Sequence, residues 1–203
     1  MNHLASAAAL SIVALAMVGC ASTEIKDSWR NPEATPESFQ FKKILAMAIV
    51  DDIVTRRVAE DELADLIDRA EVVPSYTILT QADLQNPERA KEKIKEEGFD
   101  GVVTLRVANV DKTVTYVPGS YAGPYSSFWG YYGYAWPTTY DSGYMRTDTV
   151  ATIEANIYAL NPEKLLWSGT SETFNPGTAR EVIDDIAAAV GAELMKQGLM
   201  APK

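Results

Sequence analysis

Histidine and cysteine are almost missing from this chain: 203 residues contain one of each, His3 and Cys20. Serine and cysteine nucleophiles need an imidazole close by, and structural zinc sites need several His or Cys ligands. If the leader argued below is removed, His3 goes with it and no imidazole is left. Ser-His-Asp catalysis, Cys-His catalysis and His/Cys zinc sites are then excluded. Carboxylate, lysine, tyrosine and oxygen-ligand metal chemistry remain. No catalytic residue, metal ligand or cofactor is therefore expected. Basic charge is scarce as well, with 18 Lys and Arg against 28 Asp and Glu and a net charge of -10. That balance opposes binding to nucleic acid or to anionic headgroups through charge, so no nucleic-acid partner is expected. No apolar run reaches the roughly 20 residues that a transmembrane helix needs.

The apolar run that is present, residues 4–18, carries no charge and ends in small residues. It has the length of a signal-peptide apolar region. Met17-Val18-Gly19-Cys20 then resembles the lipobox of bacterial lipoproteins, in which the Cys is acylated and the leader is cut away. A lone Cys in an exported chain is otherwise awkward, because it has no partner for an internal disulfide. As a lipid attachment point it is explained, since more than one acyl chain gives stable anchoring. Ala21 and Ser22 follow, without the Asp that retains many such lipoproteins in the inner membrane. The resemblance thus implies a membrane partner reached through lipidated Cys20, on the periplasmic side of an outer membrane. The expected divisions are a signal peptide over 1–19, a lipidated polar tether over 20–38 and one domain over 39–200. Trp29, within the tether, is expected to dock on that domain.

Within 39–200 the hydrophobic period changes repeatedly. Residues 39–50 are mostly continuous apolar sequence (Ile44, Leu45, Met47, Ile49, Val50), which suits a strand buried on both faces. From Thr55, Ala59, Leu63, Leu66, Ile67 and Ala70 recur at helical spacing. The acids of that helix (Glu60, Asp61, Glu62, Asp65, Asp68) lack the turn and ligand spacing of a calcium loop and read as a solvated face. Residues 76–79 read as a short strand. Asn86-Pro87-Glu88 opens a helix that Gly98 closes. Residues 101–117 alternate as a strand whose parity switches near Ala108-Asn109, which predicts a bulge. A hairpin over 149–174 turns at Asn161-Pro162, and its return strand is expected to bury Trp167. Thr178 and Glu181 form a capping box for a last helix ending at Gly198. The order β-α-β-α-β-loop-β-β-α predicts a single α+β domain with a mixed sheet and about three helices.

Two stretches stand out as candidate sites. Asp51 and Asp52, with Thr55 and Arg56, sit where a buried strand gives way to a helix, the usual ligand position in open α/β sheets. The plainer role for Asp52 or Thr55 is to cap that helix. The second is the loop over 117–146. From Tyr116 to Tyr144 lie eight of the ten tyrosines and two of the four tryptophans, with Asp141 as the only charge. Tyr121, Tyr125, Phe128, Trp129, Tyr131, Tyr132, Tyr134, Trp136 and Tyr140 would offer large, stiff contact surfaces with polar handles, as recognition surfaces do. Alternatively the loop covers the protein's own sheet or is a low-complexity insert.

The lipobox, the strand opening Phe99-Asp100-Gly101-Val102-Val103, the Tyr/Gly-rich loop and the hairpin through Trp167-Ser168-Gly169-Thr170 resemble a group of bacterial envelope lipoproteins of unassigned activity. The β-α order is similar in pattern to small domains of the curli secretion lipoprotein and of the Tol translocation protein. These features favour a non-catalytic lipoprotein that binds or scaffolds a periplasmic protein or the cell wall. The competing expectation is a carboxylate enzyme such as a glycan hydrolase, which needs two acids facing across a cleft.

Overall fold

A computed structural model of the chain describes residues 23–117, 127 and 144–201. β2 (Lys43–Ile49) is the middle of the apolar run. Leu45 is buried on one face of the sheet, and Ala46 and Ala48 on the other. Asp52 then caps α1 (Ile53–Leu66), whose Ala59 and Leu63 pack on the alanine face of β2. The small side chains let helix and sheet approach closely.

The sheet has six strands in the order β1-β6-β5-β4-β2-β3. Here β1 is Thr23–Arg30, β3 is Glu71–Pro74, β4 is Gly101–Val117, β5 is Tyr144–Leu160 and β6 is Glu163–Phe174. β2 pairs in parallel with β3 and β4, and the other pairings are antiparallel. Two short helices, α2 (Gln81–Leu84) and α3 (Pro87–Glu96), precede β4, and α4 (Ala179–Lys196) ends the fold. α1 and α4 cover one face over Ile153, Ala155, Ile157 and Trp167. Ile94 of α3 packs with Leu45, Phe99 and Val102 on the other face. This is one α+β domain on a mixed sheet, as the pattern predicts, with four helices among the described residues where about three are expected.

Capping chemistry works where the sequence places it. Asn86 accepts a bond from Arg89 N with Pro87 in the first turn, and Thr178 and Glu181 form the capping box of α4. Gly98 and Gly198 follow the ends of α3 and α4 with φ of 72° and 71°, a left-handed geometry that glycine adopts without strain. The register shift between Val107 and Asn109 is the bulge that the parity switch requires. Trp167 is fully buried.

Three local readings are corrected. Residues 23–30, assigned above to a tether, form edge strand β1 against β6, and Pro36–Phe39 forms a 3-10 turn. β1 buries little side-chain surface, so no hydrophobic alternation marks it. Its backbone ladder holds it, together with Thr23 Oγ1 against Thr173 Oγ1 at 2.8 Å and Arg30 Nη1 donating to Gln197 O at 2.9 Å. Trp29 lies within β1 and stays about half exposed. Second, the short strand runs over Glu71–Pro74, and Ser75–Thr77 within and before the expected 76–79 span is a 3-10 turn. Third, strand pairing persists to Val117 and resumes at Tyr144, so both ends of the 117–146 loop are ladder.

Candidate functional site

The corner after β2 does not gather its four candidate residues. Asp52 Oδ1 accepts from Thr55 N at 2.7 Å and Thr55 Oγ1 at 2.6 Å, which is an N-cap. The Thr55 hydroxyl, then its N–H, lowers the Asp52 carboxyl below its ordinary range. Asp51 is exposed, whereas Arg56 turns inward and is buried. Asp52 and Thr55 therefore meet each other, and Asp51 and Arg56 point elsewhere.

Arg56 turns in because Glu60, one helical turn later, lies fully buried. Glu60 Oε1 accepts from Arg56 Nε at 2.9 Å, Ser75 Oγ at 2.7 Å and Ala48 N at 3.0 Å. Its Oε2 accepts from Tyr76 N at 2.8 Å, and Arg56 Nη2 donates to Ser75 Oγ at 2.7 Å. One carboxylate thus ties β2, α1 and the 3-10 turn together. Glu62 is likewise buried and pairs with Arg180 of α4. Two acids of the helix read above as a solvated face are therefore structural. Only the Arg56–Glu60 spacing of four hinted at it, since the other partners lie far along the chain.

Asp83 is the third buried carboxylate. It accepts from Lys93 Nζ at 2.6 Å, Thr80 Oγ1 at 2.6 Å and Thr80 N at 2.9 Å, and Arg89 Nη2 lies 3.1 Å from its other oxygen. Lys93 first, then Thr80, hold it well below the usual carboxylate range. All three buried acids are thus held by cationic side chains that secure one element to another. Among the described residues no group of three or more His, Cys, Asp or Glu could hold a metal ion.

The surface left without such an explanation is an arm. β2 pairs with β4 only as far as Arg106, and β6 pairs with β5 only from Val150. Between those limits and the Val117–Tyr144 pair, β4 and β5 run on as a two-stranded ribbon. Directly opposed residues share a face, so Val110 with Ala151, Val114 with Thr147 and Tyr116 with Met145 make one side. Val114 and Met145 are 57% and 63% exposed. The other side carries Asp111, Thr113, Thr115, Arg146 and Asp148 together with Val117, Tyr144 and Val150, and Arg146 Nη2 donates to Asp148 Oδ2 at 2.7 Å. The apolar side continues the helix-covered face of the sheet. At its base is a cavity of about 180 Å³ among Val50, Leu105, Val107, Val110 and Val182.

The chain leaves the arm at Val117 and returns at Tyr144. Tyr121, Tyr125, Phe128, Trp129, Tyr131, Tyr132, Tyr134, Trp136 and Tyr140 lie outside the described residues, as does Cys20. What sequence reasoning missed is the arm whose strands flank them in sequence. Alternation over 101–117 was visible, but the loss of neighbouring strands on both sides was not.

No protein-family model matches the chain, and no curated protein matches it by sequence. Solved structures do resemble it. A PelC dodecamer variant from Paraburkholderia phytofirmans aligns at 12% identity over 89% of this chain and 99% of the PelC chain, with a TM-score of 0.40. The lipoprotein GNA1162 from Neisseria meningitidis aligns at 15% identity over 76% of this chain and 99% of its own, with a TM-score of 0.39.

Proposed function

We propose that this protein is a non-catalytic lipoprotein of the bacterial envelope, held through Cys20 on the periplasmic side of the outer membrane. There it binds a periplasmic protein or the cell wall through the aromatic interval around Trp129 and Trp136. The observation that carries this reading is the arm: a 17-residue β4 and a 17-residue β5 extend past the sheet, and the interval starts and finishes at their outer ends. Tyr- and Trp-rich surfaces give large contact area at low entropic cost. Two further features support it. The buried acids Glu60, Glu62 and Asp83 are engaged by Arg56, Arg180 and Lys93, where a glycan hydrolase would need a facing pair. No helix among the described residues is long and apolar enough to cross a membrane.

The anchor is tested by Cys20→Ala. The variant precursor should stay uncleaved, or its product should leave the membrane fraction, when cells are fractionated and blotted. Normal processing with full membrane retention would contradict the lipid anchor.

A further inference from the structure

The sheet register brings the expected lipid anchor and the arm to the same end of the molecule. Thr23 of β1 pairs with Thr173, Thr173 with Ala151, and Ala151 with Val110, so these residues form one row across the sheet. Only Ala21 and Ser22 separate Thr23 from Cys20, a reach of at most about 11 Å. A lipid on Cys20 therefore holds this end of the domain against the bilayer. The arm leaves from the same row, about 14 Å away at three strand spacings, and its residues 111–117 continue for about 23 Å. Sheet twist of roughly 20–25° per strand swings the arm sideways without moving it to the opposite end.

We infer that the arm is a second membrane contact, its outer apolar residues Val114 and Met145 meeting the phospholipid headgroups. This rests on the lipid-anchor reading above. The chemistry of the two faces fits. Lys112 is the only charged residue among the paired positions of the apolar side, and a lysine can lay its stem along apolar surface while its ammonium reaches the headgroups. Asp111, Arg146 and Asp148 occupy the opposite side of the ribbon. The arm's own charges balance, two acids against Lys112 and Arg146, so the net -10 of the chain is not concentrated where the bilayer would be met. A ribbon of two strands is marginal in water and gains an apolar partner at the surface. Beyond Thr149, whose backbone groups bond Asn175, its outer edges have no neighbouring strand among the described residues, which holds it at headgroup depth and out of the hydrocarbon.

The test uses the full lipidated chain in phosphatidylcholine vesicles, with one environment-sensitive fluorophore on Val114→Cys or, as the opposite-face control, on Thr113→Cys. Both positions are exposed, and thermal unfolding of each labelled chain checks that the fold is kept. Nitroxide-bearing phospholipid should quench the label at 114 severalfold more than at 113, and iodide in the buffer should do the reverse. Equal lipid quenching at the two positions would overturn the inference. So would a label at 114 shielded from both quenchers, which would mean that protein covers the face. Flotation of the chain with the vesicles is read separately. If it fails, the anchor reading falls. The labelled chain is then mixed with excess vesicles, where face-selective quenching still supports the arm contact and its absence overturns it.

Discussion

Trp167→Ala is expected to lower the unfolding free energy by about 3–5 kcal/mol, the usual cost of emptying a large aromatic site. Trp167 has no exposed surface and belongs to the cluster that β6 shares with Ile157, Leu166, Ile186 and Leu194. Its ring lies across Gly169, where any added Cβ would collide with it, so the strand is fitted to the indole. The indole Nε1 is buried without a hydrogen-bond partner, so the residue contributes through volume and not through a polar contact. Trp167→Phe, which deletes that unmet donor and keeps an aromatic ring, should therefore retain much of the stability. Urea unfolding followed by circular dichroism measures both. A loss below about 1 kcal/mol for the alanine variant would mean that the site collapses without penalty, contrary to the packing described.

Glu60→Gln should cost a comparable amount, about 3–5 kcal/mol, because it strands the Arg56 guanidinium in a buried site. It also weakens bonds to Ala48 N, Ser75 Oγ and Tyr76 N at once. The diagnostic comparison is a double variant, Arg56→Met with Glu60→Leu. Apolar replacement of a whole buried pair is often close to neutral, so the double variant should recover part of what the single one loses. A single variant as stable as the wild type, or a double variant worse than the sum of the singles, would contradict the account of Glu60 as the tie between β2, α1 and the 3-10 turn.

Much of the fold was legible because its signals are local. The two-faced burial of β2, the caps at Asn86 and Thr178, the glycines closing α3 and α4 and the bulge before Asn109 each follow from a few neighbouring residues. The hairpin follows from the alternation of Ala151, Ile153, Ala155 and Ile157, and the burial of Trp167 from its place beside Leu165 and Leu166 in the return strand. β1 escaped because an edge strand is made by its backbone ladder and carries polar side chains. The inward turn of Glu60 and Glu62 escaped because their partners, Ser75, Tyr76 and Arg180, are distant in sequence. For the candidate site, the sequence marked the aromatic interval but not its mount. That depends on where β2 and β6 stop, which is a property of the whole sheet.

Partner capture through the aromatic interval is the central claim, and one paired measurement on a single variant tests it. Residues 119–143 are replaced by a short Gly/Ser connector between the last arm pairs, Val117 with Tyr144 and Tyr116 with Met145. The described buried clusters lie toward the other end of those strands, around Val102, Leu105, Ile153 and Ile157, and shortening a connection changes closure entropy by only about 0.6 kcal/mol per halving. Crosslinking in intact cells and thermal unfolding are then compared with the unaltered protein. The account predicts a melting temperature close to that of the parent and loss of the crosslinked partner. A large fall in melting temperature with partner capture intact would show that the interval serves the protein's own sheet, and would contradict the claim.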